Sequence, residues 1–143
     1  MAFNNLADME VIDEPSQSIF DTLIAGVRKH NHQRLGSEPA KPIAVIMRNK
    51  NNEIIAGVSG RTIYQHFLVD LLWVDESARG QGLGQQVMQQ AEVEARKRGC
   101  IAAQVDTLSV QAPEFYQKLG FEIVGKVDGL TKDHDRYFLA KHF

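Results

Sequence analysis

The stretch from Arg79 to Gly84 is the part of the sequence whose residues most clearly point to chemistry. Glycine occupies three alternate positions here, between an apolar run that ends at Val74 and a predicted helix. Glycine adopts tight turns with positive φ angles and lets backbone N–H groups come close to a ligand. The start of a helix adds N–H groups without an intrahelical acceptor and the positive end of the helix dipole. The stretch therefore predicts a binding site for a phosphate or pyrophosphate group.

The spacing of these glycines argues against two common phosphate loops. A Walker loop ends in Lys followed by Ser or Thr, whereas Gln85 and Gln86 follow Gly84. A dinucleotide fingerprint has the spacing Gly-x-Gly-x-x-Gly, which the alternate glycines here do not match. The remaining pattern, Arg-x-x-Gly-x-Gly after an apolar strand, resembles the acetyl-CoA signature of the GNAT superfamily of N-acetyltransferases. A phosphate-binding protein of unrelated fold is the alternative that this short pattern leaves open.

A second pattern lies further along the chain, from Ser109 to Phe121. It resembles the GNAT element Asn-x-x-Ala-x-x-x-Tyr-x-x-x-Gly-Phe, with Ala112 and Tyr116 at matching positions. Its distance from the glycine turn is also the one that the family shows. Two departures occur, because Ser109 replaces the family's frequent Asn and Glu76 stands where a Pro is common before the Arg. Two patterns in the family's order extend the resemblance over essentially the whole chain.

The resemblance implies how acetyl-CoA is held as co-substrate. Backbone N–H groups of the glycine turn would bind the pyrophosphate, and the strand before the turn, splayed from its neighbour by a bulge, would pair with the pantetheine arm. A backbone N–H of that strand would polarise the thioester carbonyl, and stabilisation of this type usually contributes strongly to catalysis. The positions that the resemblance assigns to coenzyme binding are Leu72, Trp73, Val74, Arg79, Gly80, Gln81, Gly82, Leu83, Gly84, Gln85, Ser109, Ala112 and Phe115.

Three side chains are the candidates for proton transfer. Acetyl transfer from a thioester to an amine needs a positioned donor, a deprotonated amine and a proton for the leaving thiolate. Tyr116 aligns with the family tyrosine that lies near the sulfur as general acid. Asp70 is the first candidate for the base, because the two-residue period of a strand places it on one face with Leu68 and Leu72. Asp106, near the end of the next strand, is the second candidate.

Other interpretations of these side chains stay open at this stage. Tyr116 could be an aromatic packed beside Phe115, Asp106 could cap a turn, and Asp70 could belong to a structural hydrogen-bond network. A chain of water molecules could also carry the proton from the amine. The histidines at positions 30, 32 and 66 are further titrating groups, each more typical of an ordinary surface or loop residue.

Hydrophobic periodicity and turn residues predict an α/β fold. The order of elements also resembles that of GNAT proteins, which implies a single domain over residues 1–143. Its fold would be a mixed, mostly antiparallel central sheet of about six to seven strands, with helices on both faces and a splay after the fourth strand. The predicted strands are Met9–Ile12, Ile43–Met47, Glu53–Gly60, His66–Val74, Ile101–Thr107, Phe121–Val124 and Arg136–Leu139. The predicted helices are Ser16–Arg28, Gly82–Arg98 and one from Ser109 to Gly120, with a loop or short helix over Lys29–Pro39.

Composition limits the classes of function. A 143-residue chain with a formal charge of −2 is large enough for a packed core and lacks the basic patch that nucleic acids require. The sequence contains no membrane-length apolar run and no signal peptide, so the cytoplasm is the expected compartment. Cys100 is the only cysteine, and it is expected as a small buried hydrophobe. No metal site is expected, and a homodimer is left open.

The expected activity is therefore acetyl transfer from acetyl-CoA to a primary amine of a small molecule or an exposed peptide amine, by direct attack on the thioester. The alternative is a non-catalytic acetyl-CoA sensor or subunit with the same fold. The presumed acceptor side carries more carboxylates than cations, with Asp70 and Asp106 joined by Asp128, Asp133 and Asp135. Such a surface favours a cationic amine over an acidic acceptor.

Overall fold

The first of two compact units in the fold contains a single helix. The computed structural model describes residues 8–109 and 113–143, and the units divide between Glu38 and Pro39. Helix α1 (Gln17–Leu35) begins after Ser16, whose hydroxyl accepts a hydrogen bond from the Ile19 N–H. The helix runs seven residues beyond the predicted end at Arg28, because Lys, Gln and Arg are good helix formers and the first residue in a left-handed conformation is Gly36, at φ 83°.

The predicted first strand, Met9–Ile12, is wrong. Residues 8–13 have no regular secondary structure, and Met9 and Val11 are 96% and 91% exposed. A short apolar run becomes a strand only where a neighbouring strand accepts its backbone hydrogen bonds and a core covers its side chains. Neither condition holds for these residues in the described part of the chain.

The second unit is built on a mixed sheet, which confirms the predicted fold class. The described residues form six strands in the order β1-β2-β3-β4-β6-β5. All neighbouring strands pair antiparallel except β3 and β4, which are parallel. The strands are β1 (Lys41–Arg48), β2 (Ile54–Ile63), β3 (His66–Val74), β4 (Ala102–Leu108), β5 (Glu122–Val127) and β6 (Arg136–His142), and the helices are α2 (Leu83–Lys97) and α3 (Pro113–Lys118).

Helix α2 packs across β1, β2 and β3 and closes the core. Its buried residues recur at helical spacing, and Val87 and Met88 lie with Phe67 and Leu139 among the largest fully buried side chains. The helix ends at Gly99, whose φ of 89° is left-handed, as the sequence predicts. Cys100, which follows, is buried in the same core, as expected. The core therefore fixes where the glycine turn that precedes α2 stands.

No helix in the described residues is both long enough and apolar enough to cross a membrane.

Candidate active site

A cleft opens in the sheet where β3 and β4 separate. The two strands pair only from His66 opposite Ala102 to Leu68 opposite Gln104, and both continue beyond that point without pairing. A cavity of about 860 Å³ fills the opening. The predicted splay is therefore present, and it lies after β3 because the predicted Met9–Ile12 strand does not form. The lining of this cavity consists of Asp70, Leu71, Leu72, Trp73, Val74, Ala78, Arg79, Gly80, Gly82, Leu83, Gly84, Gln85, Val105, Asp106, Thr107, Phe115, Tyr116, Lys118 and Leu119.

A β-bulge at Asp70 sets the direction of β3 at the mouth of this cleft. Val69 lies opposite Gly60 and Leu71 lies opposite Ser59, so Asp70 is the extra residue. Gly60 permits the close approach, since a Cβ on it would lie 2.1 Å from the Leu68 carbonyl oxygen. The lack of a side chain at Gly60 therefore lets β2 and β3 come close at the bulge.

The bulge also changes which side chains share a face. Before it, Phe67 and Val69 face the core; after it, Leu72 and Val74 pack against the same core. The alternation therefore shifts by one residue, and the expectation that Asp70 shares a face with both Leu68 and Leu72 does not hold across the bulge. Leu72 instead contributes to the wall of the cleft from the core side.

The turn between β3 and α2 has the geometry of an anion site. Asp75 begins it: the Asp75 carboxylate accepts hydrogen bonds from the Ser77 hydroxyl and from the Ser77 N–H, at 3.1 Å for the latter. These bonds lower the pKa of Asp75, the hydroxyl contributing most, and keep it ionised as the cap of a short 3-10 helix, Glu76–Ala78. Arg79 follows, and its Nε donates to the Val74 carbonyl at 3.1 Å. The side chain of Arg79 thereby braces the turn against the end of β3.

Two of the three glycines supply the conformation that the turn needs. Gly80 and Gly82 have φ of 79° and 77°, in the left-handed region that side chains disfavour. Gly82 is also the N-cap of α2, and no side chain accepts a hydrogen bond there. The first helical bond runs from the Gln86 N–H to the Gly82 carbonyl, so the preceding N–H groups remain available for an anion.

The third glycine serves packing. Gly84 lies in the first turn of α2, where a Cβ would stand 3.1 Å from the Phe115 ring and 3.4 Å from Val74. Its lack of a side chain lets the α3 aromatic and the end of β3 approach the start of α2. Gly84 and Phe115 therefore join the two helices that border the cleft.

Tyr116 lies at the base of the cleft, 7% exposed, with edge-to-face contacts to Phe115 at 5.3 Å and Phe121 at 5.8 Å. Burial raises the pKa of the Tyr116 hydroxyl, and the negative charge of Asp106 raises it further. Both causes act against the phenolate, so the hydroxyl carries its proton at neutral pH. The aromatic packing that the sequence left as an alternative is present, and the same residue also lines the cavity.

Both predicted carboxylates line the cavity, and each is paired with an arginine. Arg136 donates from its Nε and NH2 to a single oxygen of Asp106, Oδ2, at 3.0 and 2.7 Å. Arg61 donates to Asp70 Oδ1 at 3.2 Å. Asp70 and Asp106 belong to strands that part at the cleft, so one carboxylate stands on each wall.

The remaining predicted positions fall outside this cluster. Ser109 is not among the lining residues; its hydroxyl bonds with His134 Nδ1 at 2.9 Å and accepts from the Asp135 N–H at 3.2 Å. Gln81 lies in the turn between two lining glycines without lining the cavity. Ala112 lies outside the described residues.

The three candidate histidines are not among the residues that line the cavity. His66 bonds with the Gln104 amide at 2.9 Å where β3 and β4 are still paired, and His30 and His32 lie on α1. Over residues 8–109 and 113–143, no group of three His, Cys, Asp or Glu side chains is placed to hold a metal ion.

Lys118 also lines this cavity, although it was not predicted as a site residue. The signal was available, because Lys118 follows Phe115 by three residues on α3 and residues at that spacing share a helix face. Phe115 contacts the start of α2, so its neighbour on that face points along the same cleft border. Arg79 and Lys118 are the two cations among the described lining residues.

Comparison with known proteins agrees with this geometry. The model of the Acetyltransferase (GNAT) family matches residues 9–121. Acetyltransferase Atu2258 of Agrobacterium fabrum is 34% identical over 130 residues, which span 91% of this chain and 92% of the relative. Blasticidin-S acetyltransferase of Streptomyces morookaense is 39% identical over 106 residues, spanning 73% of this chain and 78% of the relative.

Solved structures show the same fold. A crystal structure of an acetyltransferase from Bacillus cereus superposes with a TM-score of 0.83 at 31% identity, over 94% of this chain and 98% of the other. A candidate acetyltransferase from Agrobacterium tumefaciens gives a TM-score of 0.89 at 29% identity, over 96% and 100%. An open splay, a glycine turn at a helix start and this family match lead to one conclusion: the chain belongs to the GNAT family and is an acyltransferase that uses acetyl-CoA.

Proposed function

We propose that the protein transfers the acetyl group of acetyl-CoA to a primary amine of a small molecule or an exposed peptide amine, by direct attack on the thioester. The observation that supports this most strongly is the cleft itself, where a buried, protonated Tyr116 lines one cavity with two carboxylates and the glycine turn. A non-catalytic acetyl-CoA sensor would need the turn and the cleft walls, but it has no use for a proton donor at their base.

Charge is distributed along the cavity in a way that orients the coenzyme. Arg79 and the open N–H groups of α2 lie at the turn, and Lys118 lines the same cavity from α3. Asp70 and Asp106 lie where the strands separate. The phosphates of acetyl-CoA are therefore attracted to the turn, whereas each carboxylate is already paired with an arginine. The pantetheine arm then runs along the unpaired edge of β3. Alternate backbone N–H groups between Leu72 and Val74 point away from β2 there and offer hydrogen bonds to the arm and to the thioester carbonyl.

The proposed reaction needs one proton removed and one delivered. The amine nitrogen attacks the thioester carbonyl carbon, the C–S bond breaks, and the nitrogen loses its extra proton. The thiolate takes the Tyr116 proton, and the tyrosinate regains one from solvent, so that an amide and free CoA leave. Asp70 and Asp106 form ion pairs with arginines at the mouth of the cleft, and they would receive the amine proton directly or through water.

Release of CoA thiol separates an enzyme from a sensor. With acetyl-CoA and a panel of primary amines, we expect thiol release that depends on the amine, together with an acetylated product of matching mass. Blasticidin S belongs in the panel, because one relative is named for its acetylation. Tight acetyl-CoA binding without amine-dependent release across peptide amines, monoamines and polyamines would leave the sensor as the better account.

Replacing Lys118 by Ala is expected to raise the Kd of acetyl-CoA about fivefold to tenfold at low ionic strength, since one exposed cation near a phosphate would be lost. Lys118→Arg keeps the charge and should keep the affinity, so it is the matched control. Calorimetry at two salt concentrations measures both, and the effect of Lys118→Ala should shrink as salt rises. Equal affinity of the Ala variant and the unsubstituted protein at low salt would remove Lys118 from the coenzyme site.

A further inference from the structure

A second cavity, of about 370 Å³, meets the coenzyme cleft at the point where β3 and β4 part. Asp70, Val105 and Asp106 line both cavities. A molecule in the second cavity can therefore approach the same two carboxylates that border the coenzyme cleft. Apart from these shared residues, the lining of the second cavity comes from β2, β3, β4, β5 and β6.

Most of the second cavity is apolar. Leu68, Val124 and Phe138 contribute its apolar wall, and Val124 is 66% exposed on β5. Arg136 lies over the Phe138 ring, with its guanidinium carbon 4.9 Å from the ring centroid, while it also holds Asp106. Arg136 is not among the described lining residues, but it holds the Asp106 carboxylate and the Phe138 ring together as one side of the cavity.

The charges in the second cavity are nearly balanced. Each of the two carboxylates is paired with one arginine through one oxygen, Asp70 with Arg61 and Asp106 with Arg136. The pairing orients the carboxylates, and the second oxygen of each can accept a hydrogen bond from an ammonium or amine. A second cation on the ligand would face the apolar wall, the Gln104 amide and the Arg61 guanidinium.

The other acidic residues that the sequence placed on this side do not add negative charge to the cavity. Asp128 and Asp135 both pair with Lys126, at 3.0 and 3.5 Å, and the Gly129 N–H also donates to Asp135. Neither they nor Asp133 lines either cavity. The predicted preference for a cationic acceptor therefore depends on two carboxylates, those of Asp70 and Asp106 at the splay.

We infer that the second cavity binds the acetyl acceptor and that this acceptor is a small monoamine with an apolar body. The inference rests on the proposed function and names its substrate class. The amine lies between Asp70 and Asp106, within reach of the thioester, and the hydrocarbon or aromatic body lies against Leu68, Val124 and Phe138. Polyamines and other acceptors with a second cation are poor substrates, because that cation loses water without gaining a carboxylate.

Substitution of Val124 tests the inference, because Val124 lines the second cavity and not the coenzyme cleft. It is the residue of β5 skipped by the pairing register, between Ile123 opposite Leu139 and Gly125 opposite Phe138, so a polar side chain there leaves the core intact. The probes are hexylamine and 1,6-diaminohexane, which differ by one terminal ammonium. The measured quantity is the ratio of their kcat/KM values.

We expect the unsubstituted protein to favour hexylamine about fivefold or more, and Val124→Asp to shift the ratio about fivefold toward the diamine, since a carboxylate then faces the second ammonium. Asn has nearly the same shape as Asp but no charge, so Val124→Asn should leave the ratio close to that of the unsubstituted protein. The Kd of acetyl-CoA should be the same in all three proteins.

Two results would overturn the inference while the proposed function stands: preference of the unsubstituted protein for the diamine, or an unchanged ratio in Val124→Asp while both amines are acetylated. Absence of amine-dependent CoA release with every amine tested would instead overturn the proposed function, and the inference with it.

Discussion

Replacing Gly82 by Asp is expected to weaken acetyl-CoA binding about a hundredfold or more while the protein stays folded. Gly82 has φ 77° and ψ 14°, a left-handed conformation that Asp and Asn tolerate better than most residues, and a Cβ there would meet no atom within 4 Å. As the N-cap of α2, an Asp would accept hydrogen bonds from the N–H groups that we assign to the pyrophosphate. It would also place a negative charge beside the phosphates. The pyrophosphate would therefore lose charge-assisted hydrogen bonds from the turn and would be repelled by the new carboxylate.

Gly82→Asn is the matched control, because Asn has the shape of Asp and can cap the helix without the charge. The expected order of affinity is Gly, then Asn, then Asp, measured by calorimetry with acetyl-CoA. A thermal melt of each variant shows whether the protein is folded, and both side chains should lower the melting temperature somewhat because φ at this position is left-handed. A folded Gly82→Asp protein that binds acetyl-CoA as tightly as the unsubstituted one would disprove the assignment of the turn.

The parts of the site that follow from local sequence were predicted well. Left-handed glycines and a helix start are properties of a few consecutive residues, so the turn from Arg79 to Gly84 could be interpreted without a structure. The resemblance of the two patterns to GNAT proteins then predicted a mixed sheet with a splay between two of its strands. Gly84 shows the limit of this approach, since its packing against Phe115 joins residues that are far apart in the chain.

The parts that depend on tertiary contacts could not be predicted. The family resemblance implied a bulge on this strand but not which residue it involves. Its position at Asp70 depends on how β2 meets β3, and a strand taken alone continues its two-residue period through that point. The arginine partner of Asp106 is 30 residues away and the histidine partner of Ser109 is 25 residues away. No spacing rule connects such residues, so their ion pairs and hydrogen bonds become visible only in the fold.

Errors in the first unit have a simpler physical origin. Helix propensity favoured continuation of α1 through Lys29 to Leu35, yet the polar composition of that segment suggested a loop or a short second helix. The opposite error was made at Met9–Ile12, where β-branched and apolar residues suggested a strand that has no partner in the described residues. Local preference decides a helix more often than a strand, because a strand needs hydrogen bonds from outside itself.

Replacing Tyr116 by Phe is expected to lower kcat about a hundredfold, because general acid catalysis typically contributes that much or more. Phe keeps the edge-to-face contacts with Phe115 and Phe121, so the variant removes the hydroxyl and little else. The Kd of acetyl-CoA and the melting temperature should change little. Tyr64→Phe, in the turn between β2 and β3, is the control for loss of a tyrosine hydroxyl outside the cleft.

The pH dependence of kcat is a second test of Tyr116 as the general acid. A general acid works only in its protonated form, so kcat falls as pH rises through the pKa of that acid. Burial first, and the Asp106 charge second, raise the pKa of Tyr116 above the ordinary tyrosine value of about 10. No alkaline fall from this group is therefore expected up to about pH 9, and the hundredfold loss in Tyr116→Phe should be constant over that range. Unchanged kcat in Tyr116→Phe at saturating substrates would mean that Tyr116 only packs the base of the cleft.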